Sequence, residues 1–110
     1  PAYKDYQQRA EVTAAYQYGA QAAALVEGYY RQKEEVPDTL EDAGFTGGAL
    51  PPGLDGIEYS PDGAVITLVL TDGRQLALVP SGREDGSIHW ACESDDIPVK
   101  LLPRACRDAE

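Results

Sequence analysis

The chain has no methionine, one tryptophan, one phenylalanine, one histidine and only two cysteines in 110 residues. Each shortage excludes something. Without Met, the chain is expected to follow a cleaved leader or to begin inside a longer protein, so that Pro1 marks a cut. A structural zinc site takes four ligands, and His89 is the single histidine available. No Cys-x-x-Cys pair exists for redox exchange. No apolar run approaches the roughly 20 residues that cross a bilayer, and no signal-peptide pattern is visible. The stretch from Gly44 to Gly53 lacks the Lys and the following helix of a phosphate-binding loop. Ser81, Ser87 and Ser94 have no recognisable base partner, and His89 stands alone beside Trp90. Nothing assembles the nucleophile, base and oxyanion donors of an active site. Enzymatic activity, a metal and a cofactor are therefore not expected.

What is present is a sharply divided charge. The net charge is −10, yet residues 1–33 hold four basic and three acidic side chains, while the rest hold five basic and sixteen acidic ones. Residues 34–62 alone carry eight acids and no base. Such acidity opposes generic nucleic-acid binding, which depends on neutralising phosphates, and it favours solubility. With 43% apolar residues the chain is not a disordered tail, and its length suits one domain with one modest core. The two cysteines, Cys92 and Cys106, lie late in the chain. A disulfide is the economical reading and implies an oxidising compartment. It would close a loop of about 15 residues, for which chain entropy predicts roughly 3 kcal/mol.

Residues 2–34 contain no proline and are rich in Ala, Gln, Glu and Arg, which predicts one continuous helix about 50 Å long. Its apolar face is read at Tyr3, Tyr6, Ala10, Ala14, Tyr18, Ala22, Leu25 and Tyr29, widened by Val12, Tyr16, Ala23, Val26 and Tyr30. A helix this long exceeds what so small a domain covers, so part of the stripe should protrude or meet a partner. Gly19 and Gly28 weaken it locally and permit close approach of a neighbour. Pro37 should end it.

Residues 36–56 read as an irregular loop, with one short helical turn over Thr39–Gly44. The period then becomes that of strands. Ile57–Ser60, Ala64–Thr71, Arg74–Val79 and Ile88–Cys92 are separated by Pro61-Asp62-Gly63, by a two-residue Asp72-Gly73 hairpin turn and by a turn over Gly82–Gly86. Ile66, Leu68 and Leu70 share one face, as do Leu76 and Leu78. Short connections require antiparallel pairing. The predicted class is α+β: a long N-terminal helix packed on a four-stranded antiparallel sheet, with a disulfide-bounded loop over 92–106.

Both ends of the chain carry a resemblance. The opening Pro1-Ala-Tyr-Lys-Asp-Tyr-Gln-Gln-Arg-Ala10 resembles the middle of the N-terminal helix of type IV pilins, where a Pro-Ala-Tyr-x-Asp-Tyr stretch follows a membrane-spanning segment. The end, Ile88-His-Trp-Ala-Cys92 followed by Lys100-Leu-Leu-Pro103 and Cys106-Arg107, resembles their last strand with Trp-x-Cys and a disulfide loop closing on a Pro-x-x-Cys tail. By organisation the similarity covers the whole chain; by motif, it covers the first ten and last twenty residues. The resemblance implies a structural subunit of a helical filament, staged in the inner membrane with a periplasmic head before assembly. Its partners would be other subunits, the assembly machinery and the membrane, the last through an apolar segment ahead of Pro1. The helix face would supply the spine, and the 37–56 and 93–105 loops the exposed coat.

Three sharper readings accompany this one. Six of the seven tyrosines lie on the helix and would form an aromatic path for electrons, but rings that fill helix and subunit contacts explain them more simply. Glu93, Asp95 and Asp96 cluster in the disulfide loop, near the region where pseudopilins of type II secretion often bind calcium. A pseudopilin is the alternative reading of the chain, but such proteins generally lack the disulfide, and solvated acids are the plainer reading. Lys100, Arg104 and Arg107 form a small basic patch that in a DNA-uptake pilin would contact DNA. Pairing with the acidic 34–62 stretch of another subunit is preferred, and DNA is not expected as a partner.

Overall fold

The computed structural model describes residues 2–107. Helix α1 runs over Ala2–Lys33, and its 32 residues match the molecule's longest dimension of 48 Å. It stops at Lys33, four residues before the predicted breaker, because Glu34 turns into the left-handed region (φ 57°) while its N–H still reaches the Tyr30 carbonyl at 2.7 Å. Arg31 and Lys33 place positive charge on the negative end of the helix dipole. Pro37, fully buried, then turns the chain toward the sheet.

Strands β1 (Leu54–Ser60), β2 (Val65–Leu70), β3 (Gln75–Gly82) and β4 (Ile88–Glu93) form an antiparallel meander in the spatial order β1-β2-β3-β4. The alternation read from the sequence fixes which side is inward. Ile66, Leu68, Leu70, Leu76 and Leu78 are all at most 5% exposed, and α1 lies across them. Gly19 makes this contact close. A Cβ there would stand 2.5 Å from Leu68 Cδ1 and 3.1 Å from Leu78 Cδ1, so only a glycine lets the helix backbone approach the sheet this far. Pro80 is tolerated in β3 because β2 pairs no further along than Leu78.

Two sequence expectations change in detail. Strand β1 begins at Leu54 rather than Ile57: Leu54 is buried and pairs with Leu70, and a bulge between Leu54 and Gly56 absorbs the extra residue Asp55. The β2–β3 turn holds three residues rather than two. The Leu70 N–H pairs with the Arg74 carbonyl, the Gly73 N–H bonds Leu70 O, and only Gly73 takes positive φ (91°), which is a type I turn closed by a left-handed glycine. Asp72 stabilises that turn by accepting from the Arg74 N–H and Nε; these bonds, led by the backbone one, hold its carboxyl below the usual range. The turn expected at 39–44 forms as Thr39 Oγ1 caps the Asp42 N–H while Phe45 and Gly44 donate back to Leu40 and Glu41.

After β4 the chain folds back under the sheet. The disulfide Cys92–Cys106 joins β4 to a closing helical turn α2 (Arg104–Arg107), with the two Cα atoms 4.6 Å apart. Ile97, Leu101 and Leu102 are buried within this segment, Leu101 on a short 3-10 turn over Val99–Leu101. The Ser94 hydroxyl donates to Gln75 O at 2.7 Å and accepts from the Ile97 N–H, stitching the loop to the start of β3.

Candidate functional site

Helix α1 has two unlike sides. Val12, Ala15, Gly19, Ala22 and Val26 are buried at alternating steps of three and four residues, which keep to one side of a helix that turns about 100° per residue. The stripe read from the sequence advances mostly in steps of four, and each such step carries it about 40° around the axis. It therefore winds off the sheet. Tyr18 and Ala22 are buried against the core, whereas Ala14 and Tyr29 are half-buried and Tyr3, Tyr6, Ala10 and Leu25 are exposed. The helix residues buried against the domain are 12, 15, 18, 19, 22, 23 and 26, of which the stripe includes Tyr18 and Ala22.

The outward side is unusual for its lack of charge. Every exposed helix residue from Ala10 to Gly28 is uncharged: Ala10, Gln17, Gln21, Ala24, Leu25 and Gly28. A solvated helix face ordinarily collects the charged residues, and this chain carries 28 of them. A shallow groove of about 300 Å³ between Tyr6 and Gln17 runs along this side, with Arg9 as its one charged lining residue.

The predicted basic patch divides. The Lys100 ammonium lies 3.2 Å from the Asp5 carboxylate, and the Arg9 guanidinium donates to Lys100 O at 3.0 Å, so the tail is strapped to the lower end of α1. Arg104 and Arg107 remain exposed on α2 and form no ion pair among the described residues. In the loop before them, Asp96 Oδ1 accepts from the Gln75 N–H, and among the described residues no three His, Cys, Asp or Glu side chains converge on a cation position.

A concavity of about 390 Å³ went unread in the sequence. It lies where the 38–47 loop arches beside the outer edge of β1, with Asp38 and Glu41 exposed at its rim and Leu40, Phe45, Ile57 and Tyr59 lining it. Phe45 is fixed edge-on to Tyr18 (5.5 Å between centroids), and the Tyr59 hydroxyl donates to Pro37 O at 2.7 Å. Burial, with the nearby Asp38 charge second, pushes the Tyr59 pKa up. The only signal for this hollow was the length of the loop and its acidity. No motif marks a contact between a loop and a strand some fifteen residues later.

His89 faces Ser81 across β3 and β4, but its Nδ1 meets Arg83 Nη2 at 2.9 Å. A hydrolytic triad needs an acceptor at that nitrogen to orient the ring, and a guanidinium only donates. Ser87 is likewise spent on Asp85, its hydroxyl donating at 2.6 Å and lowering the Asp85 pKa. Trp90 donates through Nε1 to Glu27, whose second oxygen pairs with Arg31. These polar groups latch elements together.

A helix as long as the molecule, laid on a four-stranded meander and closed by a disulfide-pinned tail, defines a filament-type subunit. The chain belongs to the pilin family of bacterial filaments, whose family model matches residues 8–107. Among curated proteins it is 29% identical to a fimbrial protein of Eikenella corrodens, over 99% of this chain and 76% of that protein. It is 28% identical to a type IV major pilin of Neisseria gonorrhoeae, over 99% of this chain and 75% of the relative. The family is structural rather than enzymatic and forms surface filaments by subunit assembly. No helix among the described residues is long and apolar enough to cross a membrane.

Proposed function

We propose that this chain is the exposed portion of a structural subunit of a type IV pilus. The uncharged outward side of α1 carries the reading. Burying a helix face against other copies removes it from water, and each charge there would have to be paired or desolvated at a cost of several kcal/mol. From Ala10 to Gly28 the exposed residues are only Ala, Gln, Leu and Gly, which meets that requirement. The helix face thus forms the polymer spine, including the stripe residues Tyr3, Tyr6, Ala10 and Leu25 that the sheet leaves exposed. The loops 37–56 and 93–105 form the coat. Before assembly the subunit is held in the inner membrane by an apolar segment preceding Pro1, with this region in the periplasm, and the pilus machinery extracts it. With Lys100 drawn to Asp5, only Arg104 and Arg107 are left as a cationic patch for DNA, which favours a subunit contact over DNA uptake.

Mass spectrometry of sheared surface filaments tests the reading in the producing bacterium. The chain is expected there, abundant if it is the main subunit and in traces if it caps or initiates the filament. Ala24→Glu should leave the soluble chain folded and remove filaments. Normal filaments from Ala24→Glu, or filaments without the chain, would sink the proposal.

A further inference from the structure

The two edges of the sheet are oppositely equipped. At the β4 edge, α2 is pinned by Cys92–Cys106 and presents Arg104 and Arg107, spaced by three residues on one helical turn and unpaired among the described residues. At the opposite, β1 edge of the four-stranded sheet lies the 390 Å³ concavity with Asp38 and Glu41 at its rim and apolar Leu40, Phe45 and Ile57 within. No basic residue occurs anywhere in the 34–62 stretch that builds that rim, so the chain cannot neutralise it locally. Of the other seven cations six are engaged nearer home: Arg9 with the Lys100 carbonyl, Arg31 with Glu27, Arg74 with Asp72, Arg83 with His89, Lys100 with Asp5, and Lys33 over the Tyr29 ring; Lys4 is exposed near the start of α1.

We propose that, in the filament read above, a second copy of this chain docks its Arg104–Arg107 turn into the acidic concavity between the 38–47 loop and β1. The guanidinium groups pair with the Asp38 and Glu41 carboxylates, a geometry in which two parallel N–H bonds meet each carboxylate. Val99, 66% exposed on the preceding turn, brings an apolar side chain to the same contact. Donor and acceptor surfaces occupy opposite edges of one sheet, so a copy cannot satisfy itself and the contact repeats head to tail. An interface of this kind propagates instead of closing, as an open filament requires. The disulfide acquires a purpose here, since it holds the two arginines on a fixed platform.

Charge reversal and a zero-length cross-link test the contact on filaments of the whole subunit. Arg104→Glu with Arg107→Glu, and separately Asp38→Lys with Glu41→Lys, should each lower sheared-filament yield by about tenfold or more, because like charges then face each other. Combining all four should restore it. In Arg104→Lys filaments, a carbodiimide should join residue 104 to Asp38 or Glu41 and give a dimer band on a denaturing gel. An intrachain link cannot span the two edges. Normal yield from both reversals, or cross-links mapping elsewhere, would overturn the docking. If Ala24→Glu abolishes filaments while the reversals do not, only the docking falls; if filaments lack the chain altogether, both readings fall.

Discussion

The two sides of α1 are made from nearly the same kinds of residue, yet one is a core and the other a surface. Ala15 and Ala22 on the sheet side are fully buried, whereas Ala10 and Ala24 on the outward side are exposed. What separates them is position around the axis, with Gly19 drawing the sheet-facing stripe onto Leu68 and Leu78. Composition alone makes the helix look uniformly mild. The fold spends one side of it on the domain and leaves the other exposed, and that second side carries no exposed charge from Ala10 to Gly28.

The contrast breaks most visibly with two leucines. Leu68→Ala, deleting a fully buried side chain beneath the helix, should cost about 2–5 kcal/mol in chemical denaturation. Leu25→Ala on the outward side should stay within about 0.5 kcal/mol for the isolated chain while reducing filament yield. Equal losses of stability would mean that Leu25 also belongs to the core.

The tail is expected to give the next largest effect. Cys92→Ser should cost roughly 3 kcal/mol by releasing a loop of about 15 residues. Residues 93–107 should then exchange their amide hydrogens faster, while the middle of α1 keeps its protection. The strap of Lys100 on Asp5 and Arg9 on Lys100 O would loosen with them. Unchanged exchange in 93–107 would show that burial of Ile97, Leu101 and Leu102 holds the tail without the disulfide.

Much of this architecture was legible in the sequence because strands and turns are local. Period two from Val65 to Leu70 and from Gln75 to Leu78, punctuated by Asp-Gly and Pro-Asp-Gly, marks the sheet and its inward face. Cys92 and Cys106 could be paired because no competing thiol exists. The helix was legible as a helix, but its inward direction was not. Alanine and tyrosine occur on both sides, so apolarity alone does not say which side meets the sheet, and Gly19, which permits the close contact, carries no apolar signal. Leu54 was hidden by the prolines and glycines around it, which suggested loop where a bulge lets the strand continue. The concavity beside β1 could not be read at all, since it depends on where the 38–47 loop lands.

Two glycines of the one helix sharpen the comparison. Gly19→Val forces a branched side chain into Leu68 and Leu78, which are 0% and 1% exposed, at an expected net cost of about 1–3 kcal/mol. At Gly28 a Cβ meets nothing within 4 Å. Gly28→Ala should therefore stabilise the isolated chain by about 0.5–1 kcal/mol, as for an exposed helix interior. Thermal melts of the two variants should move in opposite directions. A loss at Gly28 would mean that the soluble chain already uses that side.

The smallest effect concerns the buried side where the helix ends. Tyr59 donates to the carbonyl of Pro37, which is itself buried, so Tyr59→Phe leaves that oxygen unpaired and should cost about 1 kcal/mol. The bond requires a protonated phenol. Burial, then Asp38, raises the folded pKa above the ordinary 10.0, so folding favours the neutral ring. For a group raised in this direction the contribution is complete below the unfolded pKa and declines as pH climbs through the folded one. The stability difference between the native chain and Tyr59→Phe should accordingly stay constant from neutral pH up to about 10 and shrink beyond it. A difference that instead grew in alkali would mean that the ionised ring is the form the fold prefers, and that the loop arching over β1 is held by another contact.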